Sequence, residues 1–113
     1  MMEKKLTVAI TTYNRQEALI TQLKSLERQG NFDKYHITVF NNKSDYDVEK
    51  ALRTALTPAF FKIITIYNRK FNVGGDCNIA LSLLQVETPW MWLLSDDDVT
   101  MPGSLEAVLN DIE

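Results

Sequence analysis

The sequence predicts an α/β fold: a doubly wound, mostly parallel sheet with helices on both faces. Short apolar, β-branched runs alternate with segments of helical period from one end to the other. That βαβαβαβα order requires strands joined by right-handed helical crossovers, hence parallel pairing. Polar clusters follow the strand-like runs, at the strand ends where ligands collect in such sheets.

The elements read as follows. Leu6 to Ile10 is strand-like, and Asn14 with Glu17 three residues on suggests a capped helix start. Leu19, Leu23 and Leu26 then share one helical face, and Gly30 supplies a stop. Ile37 to Phe40 is a second strand. The polar turn from Asn41 to Asp47 leads into a helix carrying Val48, Leu52, Ala55 and Leu56, which stops near Pro58. Ile63 to Tyr67 is a third strand. Asn72 to Gly75 opens a helix whose buried side is expected to carry Ile79, Ala80, Leu83 and Leu84. Pro89 leads into a fourth strand, read as buried, and Met101-Pro-Gly103 starts a last helix with Pro in its first turn. Leu105, Val108, Leu109 and Ile112 line one face of that helix.

A chain of 113 residues has room for one domain. A net charge of −3 without a basic block argues against a nucleic-acid partner. The apolar runs are far too short for a membrane span. Met1 to Lys5 is charged and runs straight into strand-like sequence, unlike a secretory signal. The single cysteine excludes an intrachain disulfide and suits a reducing cytoplasm. Cys77 reads as a packed, inert thiol and His36 as an ordinary edge residue; together they cannot build a usual zinc site. The helix ending at Glu113 leaves the Trp90–Trp92 strand without a neighbour, so the chain reads as the N-terminal part of something larger. Apolar surface beside that strand would favour a homodimer or aggregation.

The sharpest chemical signal is the passage from Trp90-Met-Trp-Leu-Leu-Ser95 to Asp96-Asp97-Asp98. Adjacent carboxylates repel unless solvated or neutralised, and a hard divalent cation with oxygen ligands neutralises them well. The plainer reading is a solvated turn in which Asp caps the next helix.

Together these segments resemble the nucleotide-sugar half of family 2 glycosyltransferases, which have the GT-A fold. Leu6-Thr-Val-Ala-Ile-Thr-Thr-Tyr-Asn-Arg15 is similar to that family's first strand and turn. Val39-Phe-Asn-Asn-Lys-Ser44 resembles its second strand end, Asn72-Val-Gly-Gly-Asp-Cys-Asn78 the opening of its third helix, and Leu93-Leu-Ser-Asp-Asp-Asp-Val99 its Asp-x-Asp region. The resemblance runs from Leu6 to Leu109 and implies a donor pocket lined by Thr11, Tyr13, Asn41, Asn72, Gly75, Asn78 and Asp96. Tyr13 could equally close the helix start, and Gly74-Gly75 could simply be a turn. Asn41 stands where the family commonly has an Asp that accepts the uracil imide proton, a departure that leaves the base open.

The acids have two registers. Aligned on the carboxylates, Asp96 and Asp98 form the Asp-x-Asp. Aligned on Pro102, the pair is Ser95 and Asp97. An extended chain would put Asp96 and Asp98 on the same side. Asp97 and Asp98 are the candidate ligands of a divalent metal, Mn or Mg. The resemblance implies inverting transfer of a sugar from a nucleoside diphosphate to a carbohydrate or lipid-linked acceptor. Its base and acceptor pocket belong to the family's C-terminal half, and cell-surface polysaccharide synthesis on or near a membrane is a common setting. Two other readings stand beside it: a non-catalytic nucleotide-binding module, and a metal-dependent phosphohydrolase. Against the latter, Thr11 and Thr12 occupy the position after the first strand where such enzymes place an Asp.

Overall fold

The computed structural model describes residues 3–112; Met1, Met2 and Glu113 fall outside the described residues, and with them the two ends of the sequence reading. The order is β1 (Leu6–Thr12), α1 (Gln16–Glu27), β2 (Tyr35–Asn41), α2 (Val48–Ala55), α3 (Pro58–Phe61), β3 (Ile64–Asn68), α4 (Gly75–Gln85), β4 (Trp90–Ser95) and α5 (Ser104–Asp111). The strands form one sheet in the order β3-β2-β1-β4, with every pairing parallel.

This order explains where the helices lie. The chain steps outward from β1 to β2 to β3, then returns past β1 to lay down β4. Right-handed crossovers therefore put α4 on the face opposite α1 and α2. The main core lies on the α1 face. Leu6, Val8 and Ile10 alternate inward from β1 and meet Tyr35, Ile37 and Val39 of β2. Leu19, Leu23 and Leu26 close the layer from α1 at helical spacing, and Leu105 and Leu109 join from α5.

Several local expectations are corrected. The N-cap of α1 is Arg15, without a side-chain cap, because Asn14 adopts φ 50° and turns its amide elsewhere. The helix expected to stop near Pro58 does so, α2 ending at Ala55, and Pro58 then begins the short α3, where Thr57 caps Phe60. Pro102 lies in the turn before α5, whose N-cap is Gly103 at φ 85°. Cys77 is exposed rather than packed.

The largest correction concerns α4. Its buried residues are Asn78 and Ser82, while Ile79, Leu83 and Leu84 are 37%, 57% and 82% exposed. Asn78 Nδ2 donates to the Phe40 carbonyl at 3.0 Å, and Asn78 Oδ1 accepts from Arg69 Nε at 2.8 Å. These bonds fix the helix rotation, so small polar residues meet the sheet and the apolar stripe faces outward. β4 is likewise an edge strand, not a buried one, with Trp90 and Leu93 exposed. No helix among the described residues is long and apolar enough to cross a membrane.

Candidate donor site at the strand ends

The pairing register sets the carboxyl ends of the strands level: Asn68 opposite Asn41, Asn41 opposite Thr12, and Thr11 opposite Ser95. Between β1 and β4 the order of the sheet reverses, and a crevice opens there, as at other such switch points. Its volume is about 300 Å³. The β1 end contributes Thr11, Thr12, Tyr13 and Arg15; the β4 end contributes Ser95, Asp96 and Asp97; α4 contributes Gly75, Asp76, Asn78 and Ile79.

The three acids have separate environments. Asp96 is buried at 5% exposure, and Thr12 Oγ1 donates to its Oδ2 at 2.9 Å. Asp97 stands in the open, paired with Arg15 Nη1 at 3.1 Å and accepting from Ser95 Oγ at 2.6 Å. The Ser95 hydroxyl, then the Asp97 backbone N–H and the Arg15 guanidinium, hold the Asp97 carboxyl below its ordinary value. Asp98 folds back so that its Oδ2 accepts from Ser95 N at 3.0 Å, and it does not line the crevice. The chain turns after Ser95, with Asp98 N donating to Ser95 O, so the extended alternation expected to put Asp96 and Asp98 side by side does not occur. Burial raises the Tyr46 phenol, and the neighbouring Asp96 charge adds to the effect.

A polar ladder along α1 and the turn after it holds this acid loop at both ends. Gln22 is fully buried; its Nε2 donates to Ser95 O at 3.2 Å, and its Oε1 accepts from Thr100 N at 3.2 Å. Ser25 Oγ donates to the same Oε1 at 3.1 Å, and Gln29 Oε1 accepts from Leu105 N at 2.8 Å at the start of α5.

The loops after β1, β2 and β3 are cross-braced by asparagines. Asn14 Oδ1 accepts from Asp45 N, and Asn14 N donates to Ser44 Oγ. Asn42 Nδ2 donates to Asn72 Oδ1 at 3.0 Å, while Asn42 Oδ1 accepts from Val73 N. Asn72 Oδ1 also accepts from Gly74 N at 2.7 Å, shaping the turn that opens α4. Gly74 has φ 86° there, a backbone region that favours glycine.

Of the residues expected in the site, Thr11, Tyr13, Gly75, Asn78, Asp96 and Asp97 line the crevice. Asn72 instead braces its wall. Asn41 lines a neighbouring cavity of about 210 Å³, and Asp98 caps the turn. Thr12, Arg15, Asn42 and Asp76 line the crevice without having been singled out. Thr12, Asn42 and Asp76 sit next to residues that were, and the turn after β1 brings in Arg15, two residues past Tyr13.

Among the described residues no three His, Cys, Asp or Glu side chains converge as a metal cage. The donor set still fits a hard cation of the magnesium kind, which commonly takes one or two protein carboxylates and completes its shell with substrate phosphates and water. Asp97, exposed and ionised beside the buried Asp96, is such a donor.

Comparisons with known proteins agree with this fold. TarS residues 1–349 of S. aureus superpose with a TM-score of 0.76 at 20% identity, over 96% of this chain and 32% of that one. The same protein in complex with UDP-GlcNAc also gives 0.76 and 20%, over 96% of this chain and 31% of that one. The mannosyltransferase PcManGT of Pyrobaculum calidifontis, in complex with GDP-Man and Mn2+, gives 0.76 at 16% identity, over 99% of this chain and 32% of that one. This chain thus spans about a third of the length of the structures it matches. A comparison with curated proteins finds no match. Residues 7–113 match the family described as Glycosyl transferase family 2, and the chain belongs to that family.

Proposed function

We propose that this domain binds a nucleoside-diphosphate sugar with a divalent metal and presents the sugar for inverting transfer to a carbohydrate or lipid-linked acceptor hydroxyl. The observation that carries the reading is the pair Asp96–Asp97, set in the crevice at the reversal of the sheet opposite Thr11–Tyr13. The neighbours, whose names include a UDP-GlcNAc complex and a GDP-Man–Mn2+ complex, support the ligand class.

Each residue has a role in that reading. Asp97 holds the metal, with Asp96 fixed behind it by Thr12; Asp98 joins only by releasing Ser95 N–H. Bound there, a Mn2+ or Mg2+ ion supplies charge neutralisation for the departing diphosphate. Arg15, already turned into the crevice, is placed to meet a phosphate oxygen when Asp97 takes the cation. The first turn of α4, opened by Gly74–Gly75, offers backbone N–H groups to the same diphosphate. Tyr13, partly exposed on the wall, supplies a stacking face for the nucleoside. Asn72 shapes the glycine turn, and Asn78 fixes the helix that carries it.

Calorimetric titration of the chain with UDP, CDP, dTDP and GDP tests this, each with Mn2+ and again with excess chelator. The expected result is metal-dependent binding of at least one nucleotide that Asp97→Ala abolishes. Absence of binding by all of them in a folded chain contradicts the reading.

A further inference from the structure

The crevice carries an unbalanced charge, and the ion pair inside it bears on how ligands enter. Among the described residues lining it, Asp76, Asp96 and Asp97 are carboxylates and Arg15 is the only cation. A diphosphate brought to that lining meets net repulsion, so its binding needs further positive charge.

Arg15 has a fixed base and a free head. On one side of it Asn14, at φ 50°, is tied to the turn after β2: Asn14 N donates to Ser44 Oγ at 2.9 Å, and Asn14 Nδ2 donates to Asp45 Oδ2 at 3.0 Å. On the other side Arg15 O accepts from Leu19 N at 2.9 Å in the first turn of α1. The Arg15 side chain is 55% exposed, and its guanidinium donates from Nη1 to Asp97 Oδ2 at 3.1 Å. The two oxygens of Asp97 are therefore held unequally. Oδ1 accepts from Ser95 Oγ at 2.6 Å, a bond within the same turn and independent of Arg15. Oδ2 is held by the exposed arginine, and an exposed pair of this kind is weak and exchangeable.

We infer that Arg15 is a charge exchanger: it pairs with Asp97 Oδ2 until Asp97 takes a divalent cation, then moves to a phosphate oxygen, so that cation and diphosphate favour each other's binding. The inference rests on the proposed reading of the crevice and adds to it the residue that couples the two ligands. Arg15 competes with the cation for one oxygen, which weakens cation binding while no nucleotide is present. Once displaced, the guanidinium is a forked donor suited to phosphate, on a stem already anchored at the crevice wall. Coupling of this kind is reciprocal, so the factor by which nucleotide tightens the cation is the factor by which the cation tightens nucleotide. A residue that only balanced charge would not affect nucleotide binding through a contact of its own. One that only bound phosphate would leave the affinity for cation alone unchanged. Arg15 does both, and its removal acts with opposite sign on the two ligands.

The test measures both ligands on the unaltered chain, on Arg15→Gln and on Arg15→Lys. Binding of Mn2+ alone is read by electron paramagnetic resonance; UDP, CDP, dTDP and GDP are then titrated calorimetrically at fixed Mn2+. Arg15→Gln is expected to bind Mn2+ alone about two- to fivefold more tightly, as for loss of an exposed ion pair. The same variant is expected to bind the preferred nucleotide about tenfold more weakly, as for loss of a hydrogen bond to a charged group. Arg15→Lys keeps the charge, so its affinity for Mn2+ alone should stay near that of the unaltered chain. Thermal melts check that these exposed substitutions leave the fold intact. Mn2+ binding no tighter in Arg15→Gln overturns the competition, and undiminished nucleotide binding in it overturns the move to phosphate. Either result removes the exchange and leaves the crevice reading standing. Failure of all four nucleotides to bind the unaltered chain removes that reading and this inference with it.

Discussion

Replacing Gln22 by Met probes the link between the core and the acid loop. The side chain is fully buried on α1 and holds both ends of the segment carrying Asp96 to Asp98, through Ser95 O and Thr100 N. Methionine has similar volume and reach, so packing loss is small. What is lost is hydrogen bonding: Ser95 O keeps Asp98 N and Thr100 N keeps Ser25 Oγ, so the cost is that of two hydrogen bonds, roughly 0.5–1.5 kcal/mol each. A net destabilisation of about 1–3 kcal/mol is expected, or about 4–15 °C in Tm for a domain of this size. Thermal melts followed by circular dichroism measure it directly. Gln22→Glu gives an internal check with the opposite pH sense. An ionised Glu there can accept from Thr100 N but cannot donate to Ser95 O, so burial raises its folded pKa above the unfolded value. Stability of that variant should be best below about pH 4 and fall as pH rises through the raised folded pKa. A loss under about 1 kcal/mol for Gln22→Met, or a Gln22→Glu variant indifferent to pH, would refute the claim that this amide holds the loop.

Three further outcomes are expected. The Asp97 carboxyl, followed by NMR, should titrate below 3.8, and Ser95→Ala should move it up more than Arg15→Ala, since the Ser95 hydroxyl is the larger cause; the small stability it brings is present above the unfolded pKa and lost as pH falls through the folded one. Gly74→Ala should cost about 1–2 kcal/mol in denaturant unfolding, because φ 86° strains any side-chain-bearing residue although nothing crowds the added carbon. Leu84→Lys should change stability by no more than about 0.5 kcal/mol, whereas a buried leucine would cost several times that.

The sheet was legible because its strands are short, β-branched and evenly interleaved with leucines at helical spacing. The strand-end location of the candidate site followed from the same alternation. What pattern reading missed was rotation. The stripe Ile79, Leu83, Leu84 marks an amphipathic helix but not which face meets the sheet, and Asn78, held between Phe40 O and Arg69, decides that. Nor could spacing order the three acids: alternation holds only while the chain stays extended, and the turn stapled by Asp98 begins at Ser95. Asn14 suggested a cap by its place before Glu17, yet its amide is drawn to Asp45, thirty-one residues away. Each miss comes from a long-range hydrogen bond outweighing a local preference.

The central claim is that metal and diphosphate meet at the crevice between β1 and β4. Paramagnetic broadening by Mn2+ in the presence of a nucleoside diphosphate, read on backbone amides, tests it most directly. The account predicts that signals of Thr11 to Arg15, Gly75 to Asp76 and Ser95 to Asp98 broaden first, while those of Tyr35 and His36 at the far end of β2 persist. Broadening centred elsewhere, or equal broadening with and without the nucleotide, would contradict it.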